Sequence, residues 1–283
     1  MRFNGMSYKI IVDSSCELPE EFIEDSHFCS IPFGLEVDGK HFVDNKELDV
    51  EELLRQIAAC PTCPKSSCPS PQLFLENMEC DADHIYIVTI SSQLSGCYNS
   101  AVLAKNMYEE QKADKKIAVI DSQSASGGET QIALLARELE EAGKDFEEIE
   151  KQLNEYRDAM ETTFVLDNIE TLRKNGRLSR VKAMVATSLN IKPVLAADKG
   201  TIIQIGQGIG MKKALNKLVD VIIKKGGELD KKRIIISHCN NVKRAEEVKK
   251  MLLAKVNAPN IMIMATRGLS SLYANDGGII VTY

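Results

Sequence analysis

The chain has 283 residues, enough for one large α/β unit or two modest ones with a full core. Charged residues make up 27% and hydrophobic residues 44%, the composition of an ordinary globular protein. The net charge of −6 argues against nucleic acid as the main partner, and no apolar run approaches the roughly 20 residues that a membrane span needs.

The N-terminal stretch MRFNGMSYKIIVDSS has no apolar region of signal-peptide length, so a cytoplasmic location is expected. Eight cysteines (Cys16, Cys29, Cys60, Cys63, Cys68, Cys80, Cys97 and Cys239) are spread unevenly and read as thiols of a reducing compartment.

YKIIVDSS reads as a strand ending in Asp13 and two serines. LPEEFIEDS follows as a short helix with Pro19 near its start. CSIPFGLEVDG and KHFVDN are extended, with a turn at Asp38-Gly39. In LDVEELLRQIAA, Val50, Leu53, Leu54 and Ile57 recur at helical spacing. CPTCPKSSCPSP reads as a loop, because four prolines between positions 61 and 71 oppose regular structure. PQLFLENM resumes as a helix. HIYIVTI is a continuous apolar run, the pattern of a strand buried on both faces. After SSQLSG come the helix CYNSAVLAKNMYEEQ and the strand KIAVIDS, again ending in Asp-Ser. GGETQIALLARELEEAG is a helix closed by Gly143, and DFEEIEKQLNEYRDAME is another.

The alternation then restarts. TTFVLDN reads as a strand, IETLRKNG as a helix closed by Gly176, and VKAMVATSLN as helical. IKPVLAAD and TIIQIG form a hairpin around positions 198–200, and MKKALNKLVDVIIKKG is an amphipathic helix. RIIISHC, NIMIMAT and GGIIVTY are strands, separated by the helix VKRAEEVKKMLLAKV and the shorter segment LSSLYAND. This order predicts an α/β fold of two α/β domains with mainly parallel sheets. The division is expected near residue 158, giving units 7–158 and 159–283.

Ligands of open α/β sheets sit beyond the carboxyl ends of the strands. Asp13-Ser14-Ser15, the stretch from Ser91 to Gly96, and Asp121-Ser122 fall there, and SSCPS at 66–70 joins them as a loop preceding a helix. The stretch SSQLSGCYNSA admits two chemistries. A serine nucleophile needs a base, and among His27, His41, His84 and His238 only His238, at the end of RIIISH, suits Ser95. The hydrolase elbow G-x-S-x-G also lacks its first glycine here, since the sequence reads Gln93-Leu94-Ser95-Gly96-Cys97. The other chemistry is anion capture: Ser95 and Gly96 precede a helix, whose free N–H groups and dipole favour negative charge. A plain serine cap fits the motif equally well.

Cys60-Pro-Thr-Cys63 lacks a second close Cys or His pair for zinc, and it follows a helix instead of opening one as a redox motif does. GQGIG at 206–210 has neither dinucleotide spacing nor a G-K-[ST], and reads as a turn. Arg173, Lys174, Arg177 and Arg180 form a basic cluster at a helix C-terminus, where cations are the default.

Six ordered motifs together resemble the DegV family of bacterial fatty-acid-binding proteins: IIVDSSCELP at 10–19, SSCPSP at 66–71, SSQLSGCYNSA at 91–101, VIDS at 119–122, LDNIETLRKNGRLS at 166–179 and IKPVL at 191–195. The resemblance covers nearly the whole chain. It implies two α/β domains with a long-chain fatty acid (such as palmitate, stearate or oleate) between them, and no other cofactor or metal. It further implies a non-catalytic carrier that presents the carboxylate to a separate ATP-using fatty acid kinase, with transient membrane contact; the alternative is a lipid-binding sensor or interaction protein without kinase coupling. The family head-group serine corresponds to Ser95, with Gly96 offering its N–H. The threonine of the family's T-S-x-P-S stretch falls at Ser66, beside Ser67, and the family arginine of L-x-x-G-R falls at Arg177.

Two positions depart from the family pattern. The Gly-Thr-His stretch before the last glycine-rich turn reads RGLSSLYANDGG, leaving Ser270, Ser271 or Arg267 to stand in for the histidine. A second family arginine is Ile209. A sixteen-carbon tail buried at about 0.8 kcal/mol per methylene contributes roughly 12 kcal/mol gross, so neutral hydroxyls and amides suffice at the head. Ile169 to Leu172, Val181 to Leu189 and Leu269 to Tyr273 are the expected tail contacts.

Overall fold

The computed structural model describes residues 8–112, 114–181 and 190–283. The first elements are β1 (Tyr8–Asp13), α1 (Glu20–Ile23), β2 (Phe28–Ile31), β3 (Gly34–Val37), β4 (Lys40–Val43), α2 (Val50–Ala59), β5 (Lys65–Ser67) and α3 (Pro71–Met78). Next come β6 (His84–Thr89), α4 (Cys97–Gln111), β7 (Lys116–Asp121), α5 (Gly127–Glu141), α6 (Phe146–Ala159), β8 (Thr162–Val165) and α7 (Glu170–Lys174). The chain ends with β9 (Ile191–Asp198), β10 (Thr201–Ile209), α8 (Met211–Lys225), β11 (Ile234–His238), α9 (Val242–Leu253), β12 (Ile261–Ala265), α10 (Gly268–Ala274) and β13 (Ile279–Thr282).

The first large sheet has the order β2-β1-β6-β7, and every pairing in it is parallel. Its central strand β6 is buried along its whole length, as the unbroken apolar run HIYIVT requires. At the start of that strand His84 Nδ1 lies 2.6 Å from Glu140 Oε1, and Tyr86 donates to the same oxygen at 2.7 Å. His84 is therefore held at the end of β6 remote from the serine loop.

The second large sheet, β10-β9-β8-β13-β11-β12, differs from the mainly parallel expectation: only β11 and β12 run parallel. The physical reason is connectivity. β11–α9–β12 is the one parallel crossover in the sheet, whereas β8 and β9, joined by the longer segment that carries α7, pair antiparallel. The β9–β10 hairpin turns on Lys199 and Gly200, both at positive φ (47° and 79°), which enforces antiparallel pairing. β13 then inserts between β8 and β11, antiparallel to both.

A third sheet, β4-β3-β5, is small and antiparallel. Its hairpin turns at Asp38-Gly39, again with both φ values positive (51° and 75°). The proline-rich stretch expected as pure loop contributes its edge strand β5. Pro64 and Pro69 flank that strand without entering it, and an edge position tolerates such neighbours. Residues 182–189, expected as helix and tail contact, lie outside the described residues.

GQGIG, expected as a turn, lies mostly within β10. Its glycines serve packing. The register shifts between Gln204 and Gly206, and a Cβ on Gly208 would collide with the backbone of Lys213 and Ala214 at the start of α8. Backbone cannot yield as a side chain does. Gly208→Ala is expected to destabilise the protein by about 2 kcal/mol in urea unfolding, an overpacking cost; unchanged stability would show that α8 is free to shift.

Helix α5 lies between the two large sheets. Gly127 abuts Ile235 and Ser237 of β11, where an added Cβ would come 2.8 Å from Ile235 Cγ2. One turn on, the buried amide of Gln131 donates to the carbonyls of Arg233 (2.9 Å) and Thr282 (3.1 Å) and accepts from Tyr156 (2.8 Å). Helix α10 crosses in the opposite sense: Leu269 and Leu272 belong to the core under the first sheet, while Ala274 joins the core of the second. The space between the sheets is thus walled by both halves of the sequence.

Candidate functional site

Three strands of the parallel sheet, β1, β6 and β7, deliver their carboxyl-end loops to one place, and two strand-end aspartates fix them there. Asp13 Oδ1 accepts from the Ser15 N–H (2.9 Å), and Oδ2 accepts from the Ile90 N–H (2.8 Å) and the Cys97 thiol (3.2 Å). Ile90 and Cys97 bracket the serine loop, so one carboxyl group pins both of its ends. Asp121 holds its middle, accepting from the Ser92 N–H (3.0 Å), the Ser92 hydroxyl (2.5 Å) and the Gln123 N–H (3.0 Å). Ser91 donates to the Gly200 carbonyl at 2.9 Å, tying the loop to the β9–β10 turn of the other sheet.

A cavity of about 380 Å³ opens beside this loop. Such a volume lies in the range of small-molecule sites, roughly 300–1,000 Å³. Phe33, Ile90, Phe164, Leu166, Leu172 and Ile202 give it apolar walls drawn from both sheets. Polar groups gather on the loops: Ser66, Ser67, Ser95, Gly96 and Arg177 all line it, as do Ser15, Ser124 and Ser270. Ser271 is not among the lining residues; it is buried, with its hydroxyl 2.7 Å from that of Thr266. Arg267 donates instead to the Asn45 carbonyl at 2.8 Å. Of the expected tail contacts, Leu172, Leu269 and Tyr273 reach the cavity.

Ser95 Oγ accepts from the Cys97 N–H at 3.2 Å. The hydroxyl proton stays available as a donor, beside the first turn of the fifteen-residue helix α4, whose N-cap is Gly96. At the N-terminus of α5 the Ser126 N–H donates to Ser15 Oγ at 3.2 Å. Burial pushes the Glu17 carboxyl up to about 7, while the Arg267 N–H, donating to Oε1 at 3.4 Å, draws it back. The α4 terminus is presented to the cavity, which Ser95 and Gly96 line.

No nucleophilic pair assembles. His238 is not among the cavity-lining residues; its Nδ1 accepts from the Asn241 N–H at 3.2 Å, and burial lowers its pKa. Burial, reinforced by the charge of Asp13, raises the Cys97 pKa so far that it stays a thiol. Asp13 and Glu129 are also raised by burial, and for Glu129 the neighbouring Asp13 adds to it. Cys60 and Cys63 donate to nearby carbonyls, of Thr62 (3.1 Å) and Pro64 (3.5 Å), and among the described residues no side-chain group has the arrangement of a metal site.

Sequence reasoning missed the reach of several residues. Thr162 of β8 meets Ser124 at 2.7 Å, and Tyr273 of α10 meets Ser66 at 2.9 Å. Both contacts join positions remote in sequence, and no local pattern announces them. The aspartate clamps did leave a signal, in the paired endings VDSS and VIDS.

The family model described as an uncharacterised protein of the DegV family matches residues 7–282. A DegV domain-containing protein of Streptococcus pneumoniae is 36% identical over 98% of this chain and 99% of its own. Among solved structures, a DegV family protein from Ruminococcus gnavus, refined with vaccenic acid, is 45% identical with a TM-score of 0.95, covering 99% of this chain and 100% of its own. A DegV family protein from Eubacterium eligens loaded with heptadecanoic acid is 30% identical with a TM-score of 0.88, covering 98% and 99%. The fatty acid kinase (Fak) B3 protein of Streptococcus pneumoniae, loaded with linoleic acid, is 34% identical with a TM-score of 0.88 over the same shares.

Proposed function

Because the chain belongs to the DegV family, we propose that it binds a long-chain fatty acid in the cavity between its two large sheets. The observation that carries this reading is the cavity's division of labour. Apolar side chains from both sheets wall it, while serine hydroxyls and a helix N-terminus meet at one loop cluster. A carboxylate needs donors without a proton acceptor, and a hydrocarbon tail needs apolar cover; both are offered here.

In this reading Ser95 and Gly96 hold the carboxylate, with Ser66 and Ser67 across from them and Arg177 and Ser270 at the margin. Residues 7–158 supply the head-group loops, and residues 159–283 cover the acyl chain. The protein is a carrier without catalytic residues of its own, and it presents the head group to an ATP-dependent fatty acid kinase that forms acyl phosphate. The likeness to the kinase-associated protein of Streptococcus pneumoniae supports that step. Hydrolysis by Ser95 loses ground because His238 serves the Asn241 N–H.

Ser95→Ala tests the head-group assignment. It removes one charge-assisted hydrogen bond, worth about 1.5–3 kcal/mol, so palmitate affinity is expected to fall by roughly 10- to 100-fold. Equal affinity in the variant would overturn the role of Ser95. Covalent labelling of Ser95 by a fluorophosphonate would favour the hydrolase instead.

A further inference from the structure

We propose that Tyr273 is itself a head-group ligand, acting with Ser66 and Arg177 as a unit that selects a carboxylate over a neutral head. This rests on the fatty-acid reading above and deepens it.

Tyr273 sits on α10, and its hydroxyl lies 2.9 Å from Ser66 Oγ on β5. Both residues line the cavity. Two hydroxyls carry two protons, and the bond between them uses one. The pair therefore keeps one O–H to direct at an outside acceptor. If Ser66 donates inward, the phenol donates outward, and a phenol is the stronger donor of the two. The ring alone does not account for the residue. It packs against both cores, a task that phenylalanine would perform equally.

Arg177 supplies the charge. Its guanidinium carbon lies 5.8 Å from the centroid of the Tyr273 ring. Nε donates to the Leu94 carbonyl at 3.2 Å, and Nη1 donates to the Asn175 carbonyl at 2.5 Å. The cation is thus fixed to the residue preceding Ser95, alongside the Ser66–Tyr273 pair. An anion between the pair and the serine loop meets a positive field and a spare hydroxyl together. A neutral head gains only an ordinary hydrogen bond, about half as strong. The unit also joins three separate parts of the chain, β5, the segment after α7, and α10, so a bound head group would bridge both halves of the fold.

The test compares palmitate with hexadecanol, delivered from cyclodextrin to delipidated wild type and to Tyr273→Phe. The variant is expected to bind palmitate about tenfold more weakly while hexadecanol changes by less than about twofold. Ser66→Ala leaves the phenol its own O–H and should weaken palmitate less than Tyr273→Phe does, and the double variant should lose more than either single one, because only it removes both hydroxyl donors. Unchanged palmitate binding by Tyr273→Phe would overturn the proposal. So would equal weakening of both ligands, which would leave Tyr273 a packing residue. Should the tyrosine variant fail to fold, Arg177→Gln decides: it is expected to lower the preference for palmitate over hexadecanol, and an unchanged preference would overturn the proposed unit. Failure of the wild type to bind palmitate at all would overturn the underlying fatty-acid reading and the proposal with it.

Discussion

Asp13→Ala is expected to destabilise the fold by about 4 kcal/mol and to abolish lipid retention. The magnitude follows from three donors left without their acceptor in a dry interior, each costing about 1–3 kcal/mol. They are the N–H groups of Ser15 and Ile90 and the thiol of Cys97, and all three converge on one carboxyl group. Part of the loss is offset, because Asp13 is itself raised by burial and its removal relieves Glu129. Asp13→Asn separates the two effects. It keeps one acceptor oxygen but sets an amide NH2 against a donor at the other position, so it is expected to restore only part of the stability. Urea unfolding of the three proteins checks this, and an alanine variant within about 1 kcal/mol of wild type would contradict the clamp.

The second large effect is a fall in stability as pH rises from about 4.5 to 7, centred on Glu17. Its carboxyl is raised from 4.5 to about 7 by burial. The folded state therefore binds the Glu17 proton more tightly than the unfolded chain does. The associated stability is fully present below about pH 4.5 and is lost as pH climbs through about 7. The full span amounts to about 3 kcal/mol at 1.36 kcal/mol per pKa unit. Asp44, where burial also raises the carboxyl, adds in the same direction. Glu17→Gln cannot ionise. The variant is expected to lose the Glu17 share of this slope, with Asp13, Asp44 and Glu129 keeping the rest, and to exceed the wild type in stability at pH 8. A wild-type stability that rises across pH 5 to 7 would contradict the assignment.

Both effects trace to polar groups that the sequence displays without explaining. VDSS and VIDS mark strand ends, and that much is legible from periodicity and position. That Asp13 reaches past its neighbour to Ile90 and Cys97 depends on β1 lying beside β6, a pairing set by tertiary contacts. The buried run HIYIVTI, the Asp38-Gly39 and Lys199-Gly200 turns, and the helix stop at Gly143 could be read locally, because each is fixed within a few residues. The antiparallel second sheet could not, since β13 reaches its place between β8 and β11 from the end of the chain. The small strand β5 was hidden by its flanking prolines. At the site, Ser66, Ser95, Gly96 and Arg177 could be named from motifs. Tyr273 could not be given its place among them, because a hydroxyl meeting Ser66 from 207 residues away has no sequence signature.

The central claim is that this cavity holds a fatty acid by its carboxylate and tail. Native mass spectrometry of the freshly purified protein, followed by extraction and identification of the bound molecule, tests it most directly. The account predicts a protein mass increased by one sixteen- or eighteen-carbon acid, released on denaturation. A clean protein mass that stays unshifted after addition of palmitate and oleate would contradict it.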